Sequence, residues 1–249
     1  MIEQNLDLAT GNGTMSTFVT HPETGGPFPV VLFLMDAPGK REELHDMARR
    51  ISANGYYVML PNLYYRDTAS FTVHREDPAS AQYMYELMGN LTNRMVAEDV
   101  GDLIRYAEAT EAADASAVGV TGYCMSGPFA LWVAAEFPNT IKAAATIHGV
   151  RLAVDGEDSP HSRASEISAE VLVMAAERDH YVDKPHFDRL VDALDTAGVQ
   201  HTSEWIMDVD HGFVFPQRPL FNKSAAERHW ELLSSMFNRT LRNLSLIHI

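Results

Sequence analysis

Residues 29–35 read PVVLFLM, an unbroken apolar run between a Gly-Pro cluster and the turn Asp36-Ala37-Pro38-Gly39. Apolar side chains at every position suit a strand covered on both faces, as in a parallel sheet. Residues 41–54 then place Leu44, Met47, Ala48 and Ile51 at helical spacing and stop at Gly55, a residue type that closes helices in the left-handed conformation. Residues 56–60 read as the next strand, closed by Pro61. The pattern continues with strands over 117–121, 143–148, 171–175 and 203–207. Between and after them come helices over about 126–137, 187–197 (ending at Gly198) and 225–241. Strict alternation of strand and helix predicts an α/β fold with a mostly parallel sheet and helices on both faces.

One stretch breaks that rhythm. Residues 62–96 hold no strand pattern but are dense in large side chains, among them Tyr64, Tyr83, Met84, Tyr85 and Met88. The stretch is too long for an ordinary connection; it reads either as a partial cover over a site or as aromatic packing at the side of the core. No Pro/Gly/Ser linker divides the chain, so one domain over residues 1–249 is expected, with 62–96 as its cover.

Composition narrows the partners. Lys and Arg number 19 against 34 Asp and Glu, a formal charge of 19 − 34 = −15. That balance disfavours nucleic acid and anionic membrane surfaces and leaves small molecules as the expected ligands. No apolar run reaches the length of a membrane-spanning helix. Residues 1–10 carry Glu3 and Asp7, with no basic region followed by an apolar stretch, so a cytoplasmic location is expected. The apolar tail over 245–249 is assigned no function.

Cys124 is the only cysteine, which excludes an intramolecular disulfide framework, CxxC redox chemistry and a Cys-rich zinc site. It stands in Val118-Gly119-Val120-Thr121-Gly122-Tyr123-Cys124-Met125-Ser126-Gly127, just after a buried strand and just before a helix, flanked by small residues. This is the pattern of a nucleophile elbow, a sharp strand-to-helix turn that holds the nucleophile in a strained conformation at a helix N-terminus, where a thiolate is favoured. A buried cysteine can also be an inert small hydrophobe. Thiol redox sensing is a further reading, though no resolving cysteine exists in the chain.

Two later loops bear on the choice. The strand over 171–175 leads into Glu177-Arg178-Asp179-His180-Tyr181-Val182-Asp183, an acidic loop at the strand's C-terminal end, where open α/β sheets keep their sites. The last strand leads into Asp208-Val209-Asp210-His211-Gly212-Phe213. Asp179 lies nearer the strand end, whereas Asp183 suits a cap for the helix opening near Lys184 and Pro185. His211 is the candidate base; His148, the other histidine after a late strand, reads as a hydrogen-bonded core residue. Nucleophile, acid and histidine in that chain order match the α/β-hydrolase fold.

Together these motifs resemble the dienelactone hydrolase family of α/β hydrolases, over about residues 29–241. Gly122-Tyr123-Cys124-Met125-Ser126-Gly127 is similar to its G-Y-C-x-G-G elbow, Asp179-His180-Tyr181-Val182 to its D-H-F/Y-V loop, Pro61-Asn62-Leu63-Tyr64 to its P-D-L-Y turn, and Asp210-His211-Gly212-Phe213 to its histidine loop. The resemblance implies a hydrolase of small esters or lactones with Cys124 as nucleophile, His211 as general base and then acid, and Asp179 orienting the imidazole. It implies an oxyanion hole from the backbone N–H groups of Met125 and Ala37, and no metal or organic cofactor. Asp36 stands where the family has a thiol-contacting glutamate, one methylene shorter; it reads as a thiol-contacting acid or as a carboxylate that accepts backbone N–H bonds. Ser126 replaces a family glycine and fits if its φ is negative.

The substrate side departs from the family. Its type enzymes hold a substrate carboxylate with two arginines, one of them four residues after the histidine, where this chain has Phe215; Arg218 lies three further on, and Arg66, Arg75 and Arg94 occur in the cover. Candidate pocket residues are Tyr64, Tyr85, Tyr123, Phe213 and Arg218. A neutral ester or lactone is therefore as open a choice as an anionic one. The reading from a different class is a non-catalytic scaffold that binds a small ligand or a partner.

Overall fold

The structure is a computed structural model that describes residues 1–74 and 76–242, so Arg75 and the 245–249 tail lie outside the described residues. Eight strands form one sheet: β1 (Ile2–Thr10), β2 (Gly13–His21), β3 (Phe28–Leu34), β4 (Tyr57–Pro61), β5 (Ala113–Tyr123), β6 (Ile141–Ile147), β7 (Glu170–Arg178) and β8 (His201–Asp210). Their order across the sheet is β1-β2-β4-β3-β5-β6-β7-β8. The first two pairings in that order are antiparallel and the remaining five are parallel.

The expected strands are all present, and burial explains why those inside the sheet were readable, whereas the edge strand β8 buries only Val209. Every residue of β4 and nearly every residue of β3 is buried, because helices cover both faces. The hairpin β1–β2 was not expected. β1 lies at the sheet edge with only Leu8 buried, so it carries almost no apolar periodicity.

The helices are α1 (Glu42–Ser52), α2 (Pro78–Asn90), α3 (Asn93–Glu108), α4 (Gly127–Glu136), α5 (Lys184–Ala197) and α6 (Lys223–Leu241). Gly55 and Gly198, at φ 87° and 70°, supply the left-handed turns after α1 and α5. α1 and α6 meet through Arg50, which pairs with Glu227 and lies over the Trp230 ring. On the other face α4 packs against α3 and, through the 3₁₀ segment Pro160–Glu166, towards α5. α4 is buried along nine of its ten residues, as befits a helix between the sheet and its neighbours. Among the described residues no helix is long and apolar enough to cross a membrane.

The described residues of 62–96 contain turns, the whole of α2 and the start of α3. α2 buries only Leu87. By contrast the start of the stretch is firmly tied. Arg66 makes a two-pronged salt bridge to the buried Asp99 of α3, with Nη1 and Nη2 at 2.9 and 2.8 Å, and Tyr65 donates its hydroxyl to the same carboxylate at 2.8 Å. Arg66 is thus committed to the scaffold, and Arg94 is exposed on α3.

Candidate active site

Strand β5 ends at Tyr123 and the chain turns sharply into α4, leaving Cys124 at φ 53°. That left-handed conformation is costly for a residue with a side chain, and only close packing around the turn maintains it. The packing admits no side chain at two neighbours. A Cβ on Gly122 would overlap the Ser126 carbonyl, and one on Gly127 would overlap Gly149 and the Thr146 hydroxyl. Ser126 takes φ −90°, the negative value its side chain requires. Its hydroxyl also does what a glycine cannot: it accepts from the Tyr123 N–H at 2.8 Å and donates to the Leu34 carbonyl at 3.0 Å, tying the turn to β3.

The ends of β7 and β8 bring Asp179 and His211 together. Oδ2 of Asp179 accepts from Nδ1 of His211 at 2.7 Å, and Oδ1 accepts from the Tyr181 N–H at 2.8 Å. The Asp179 side chain is 1% exposed and that of His211 12%. Asp183 instead caps α5, accepting from the His186 N–H at 2.9 Å. Nε2 of His211 is buried and makes no well-formed hydrogen bond, yet the Cys124 thiol is near enough to affect its titration. Burial opposes a charge on His211, but Asp179 and Cys124 outweigh it and hold its pKa at about 9.

Cys124, His211 and Arg218 open onto a cavity of about 300 Å³. The cover supplies much of its wall through Ala81, Met84, Tyr85 and Met88 of α2. Tyr181 sits at the rim with its ring edge-on to His211, centroids 4.9 Å apart, and a hydrogen bond with Tyr85 followed by burial pushes its phenol up to about 12. Tyr181 was missed as a pocket residue, although its position two after Asp179 in the acidic loop could have suggested it.

Of the expected pocket residues, Tyr85 and Arg218 line the cavity. Tyr64, Tyr123 and Phe213 are fully buried and act from beneath it. Tyr64 donates to the Ala37 carbonyl at 2.8 Å, bracing the loop whose N–H was assigned to an oxyanion hole. The Tyr123 hydroxyl bonds Nε2 of the buried His229 at 2.9 Å. The reason is geometric: a side chain just before the elbow points into the sheet's cover while the elbow points out.

Asp36 is buried without exposure, and its hydrogen bonds run to Arg41 and Arg218; none of them goes to Cys124. Arg41 reaches on to Glu43 at 2.6 Å, and Arg218 stacks on the Phe215 ring at 4.4 Å. His148 is a buried core residue as expected, but neither ring nitrogen has a hydrogen-bond partner. Among the described residues no three His, Cys, Asp or Glu side chains converge as a metal-binding group.

The sheet order, the elbow after the fifth strand and the two following loops define an α/β-hydrolase fold. The sequence profile of the dienelactone hydrolase family matches residues 15–241, and the chain belongs to that family. A Methylorubrum extorquens protein named "Putative carboxymethylenebutenolidase" is 25% identical over 245 residues, 96% of this chain and 81% of that protein. A carboxymethylenebutenolidase of Rhodococcus opacus is 27% identical over 225 residues, covering 88% of this chain and 84% of its own length. Among solved structures, a Klebsiella pneumoniae chain named "Putative Dienelactone Hydrolase" superposes with a TM-score of 0.85 at 22% identity, over 96% of this chain and 98% of that one.

Proposed function

We propose that the protein hydrolyses a small ester or lactone through an acyl-cysteine intermediate on Cys124, with His211 as proton carrier and Asp179 as its positioning residue. The observation that carries this reading is the buried 2.7 Å contact between Asp179 and Nδ1 of His211, made beside a cysteine held at positive φ on the wall of the same cavity. A pKa of about 9 means that His211 carries a proton at neutral pH.

The Cys124 sulfur attacks the acyl carbon, forming an S–C bond and moving the carbonyl electron pair onto oxygen. The backbone N–H groups of Met125 and Ala37 are assigned to that oxyanion. Collapse breaks the C–O bond, and the departing alkoxide takes the proton from Nε2 of His211. Water then adds to the thioester, giving its proton back to Nε2, and the thiolate leaves with the carboxylic acid released. Asp179 fixes the ring so that Nε2 faces the sulfur throughout.

Cys124→Ala should abolish hydrolysis of a short aryl ester without changing the unfolding midpoint. Acid quenching of the wild type during turnover should yield a protein heavier by the acyl group, located by digestion on the peptide holding Cys124. Full activity in the alanine variant would refute the reading.

A further inference from the structure

We infer that the acyl group of the substrate leaves the catalytic cavity between Met88 and Val150 and lies in a second cavity beyond them, which makes the substrate an ester of an extended carboxylic acid. The inference rests on the ester-hydrolase reading and specifies the acid. The second cavity holds about 310 Å³, and its wall includes Met125, Phe129, Val154 and Arg151. Met88 and Val150 line both cavities, so the two meet at these side chains. Val150 is held beside the nucleophile, because its N–H donates to the Cys124 carbonyl at 3.1 Å. Met88 comes from α2, the helix that buries only Leu87, and its unbranched thioether chain adapts to what passes it.

The direction of the acyl group follows from the proton that the leaving oxygen must receive. Nε2 of His211 supplies it, so the alcohol departs on the His211 side, among residues of the first cavity. The carbonyl oxygen turns to the Met125 and Ala37 N–H groups assigned to it. The acyl chain, the remaining substituent on the tetrahedral carbon, points away from both. The second cavity is the space offered away from His211: Met125, the residue after the nucleophile, is on its wall, and His211 is not.

Cover and size agree with this path. α2 lines the first cavity from Ala81 to Met88, and the chain continues along the second through Leu91, so one segment follows the whole route. The first cavity alone, about 300 Å³, stands at the bottom of the ~300–1,000 Å³ range of small-molecule sites, and the two joined stand well inside it.

Ethyl octanoate and octyl acetate are isomers that differ only in which side of the ester bond carries the long chain. Ethyl octanoate should have the higher kcat/KM by at least about tenfold, the effect of burying roughly two methylenes. Val154 lines the second cavity and not the first, so Val154→Trp should lower the ratio of kcat/KM for ethyl octanoate to that for ethyl acetate by at least about tenfold. Loss of stability alone would lower both substrates alike, and the isomer pair is read on the wild type whether or not the variant folds. Octyl acetate as good as its isomer, or a ratio unchanged by Val154→Trp, would overturn the inference.

Binding separates this inference from the mechanism beneath it. In the Cys124→Ala protein, which forms no thioester, adding Val154→Trp should weaken octanamide binding at least about tenfold by calorimetric titration. That weakening, beside a wild type with no thiol-dependent turnover, would sink only the acyl-cysteine mechanism. Thiol-dependent turnover with octyl acetate preferred would sink only the placing of the acyl group.

Discussion

The imidazole of His148 lies edge-on to that of His211, ring centroids 4.7 Å apart, with both of its own nitrogens buried and without hydrogen-bond partners. Burial pushes its pKa well below the ordinary value, aided by the charges of His211, Arg218 and His229, so it stays neutral while His211 charges. The unfolded chain regains an ordinary histidine that takes up a proton below about pH 6.5.

Acid stability should reflect this. A histidine whose folded pKa is depressed contributes stability that is present above the unfolded value and is lost as pH falls below it. His148 behaves so, and so does His229, whose pKa burial lowers to about 3. Together they should cost up to about 2.7 kcal/mol per pH unit below about pH 6. Urea unfolding at a series of pH values should show His148→Phe, which suits the surrounding Phe213 and Phe215 rings, lowering that slope by up to about 1.4 kcal/mol per pH unit. A wild-type slope in the variant would contradict the assignment.

Activity should have an alkaline limit set by His211. Its pKa of about 9 is raised, so the protonated form needed to release the alkoxide is lost as pH rises through that value. Asp179→Asn removes one of the charges that raise it. The limb in kcat/KM should therefore move to lower pH, with a fall in kcat on the order of 10⁴-fold if the ring also turns to the wrong tautomer. An unchanged limb would mean another group governs it.

Ser126→Gly restores a smaller residue at the elbow but removes the hydroxyl that joins Tyr123 to Leu34. Stability should drop by about 1–3 kcal/mol, because the buried Tyr123 N–H loses its partner. Differential scanning calorimetry would read it directly, and a rise in the melting temperature would show that the hydroxyl contributes nothing.

Asp99→Ala should be the most damaging of these substitutions away from the cavity. It leaves Arg66, 14% exposed, without its two-pronged partner and costs about 3–5 kcal/mol. The double variant Asp99→Ala with Arg66→Met should recover part of that loss; additive losses from the two changes would deny the coupling.

What the sequence disclosed and what it hid follow one physical division. Cys124, Asp179 and His211 each follow a strand whose apolar run is visible, so the ends of β5, β7 and β8 located them. Of the two partners of Asp36, Arg41 lies five positions on, but Arg218 was hidden, because it is 182 positions away and nothing local announces the contact. Tyr123 was expected in the pocket because it adjoins Cys124, and Tyr64 because it belongs to the aromatic stretch read as a cover. Backbone direction, which composition does not encode, turned both inward. α2 was recognised only as a dense stretch, since a helix that buries Leu87 alone has little periodicity to read.

The crowding around Gly122 and Gly127 leaves the elbow no room to vary, whereas α2 fully buries only Leu87, is otherwise half-buried or exposed, and lends Ala81, Met84, Tyr85 and Met88 to the cavity wall. If the proposed reaction takes place at Cys124, reaction and selectivity are written in separate parts of the chain. New substrate preferences can accumulate by successive changes along α2, each tested by selection without disturbing the turn that carries the sulfur.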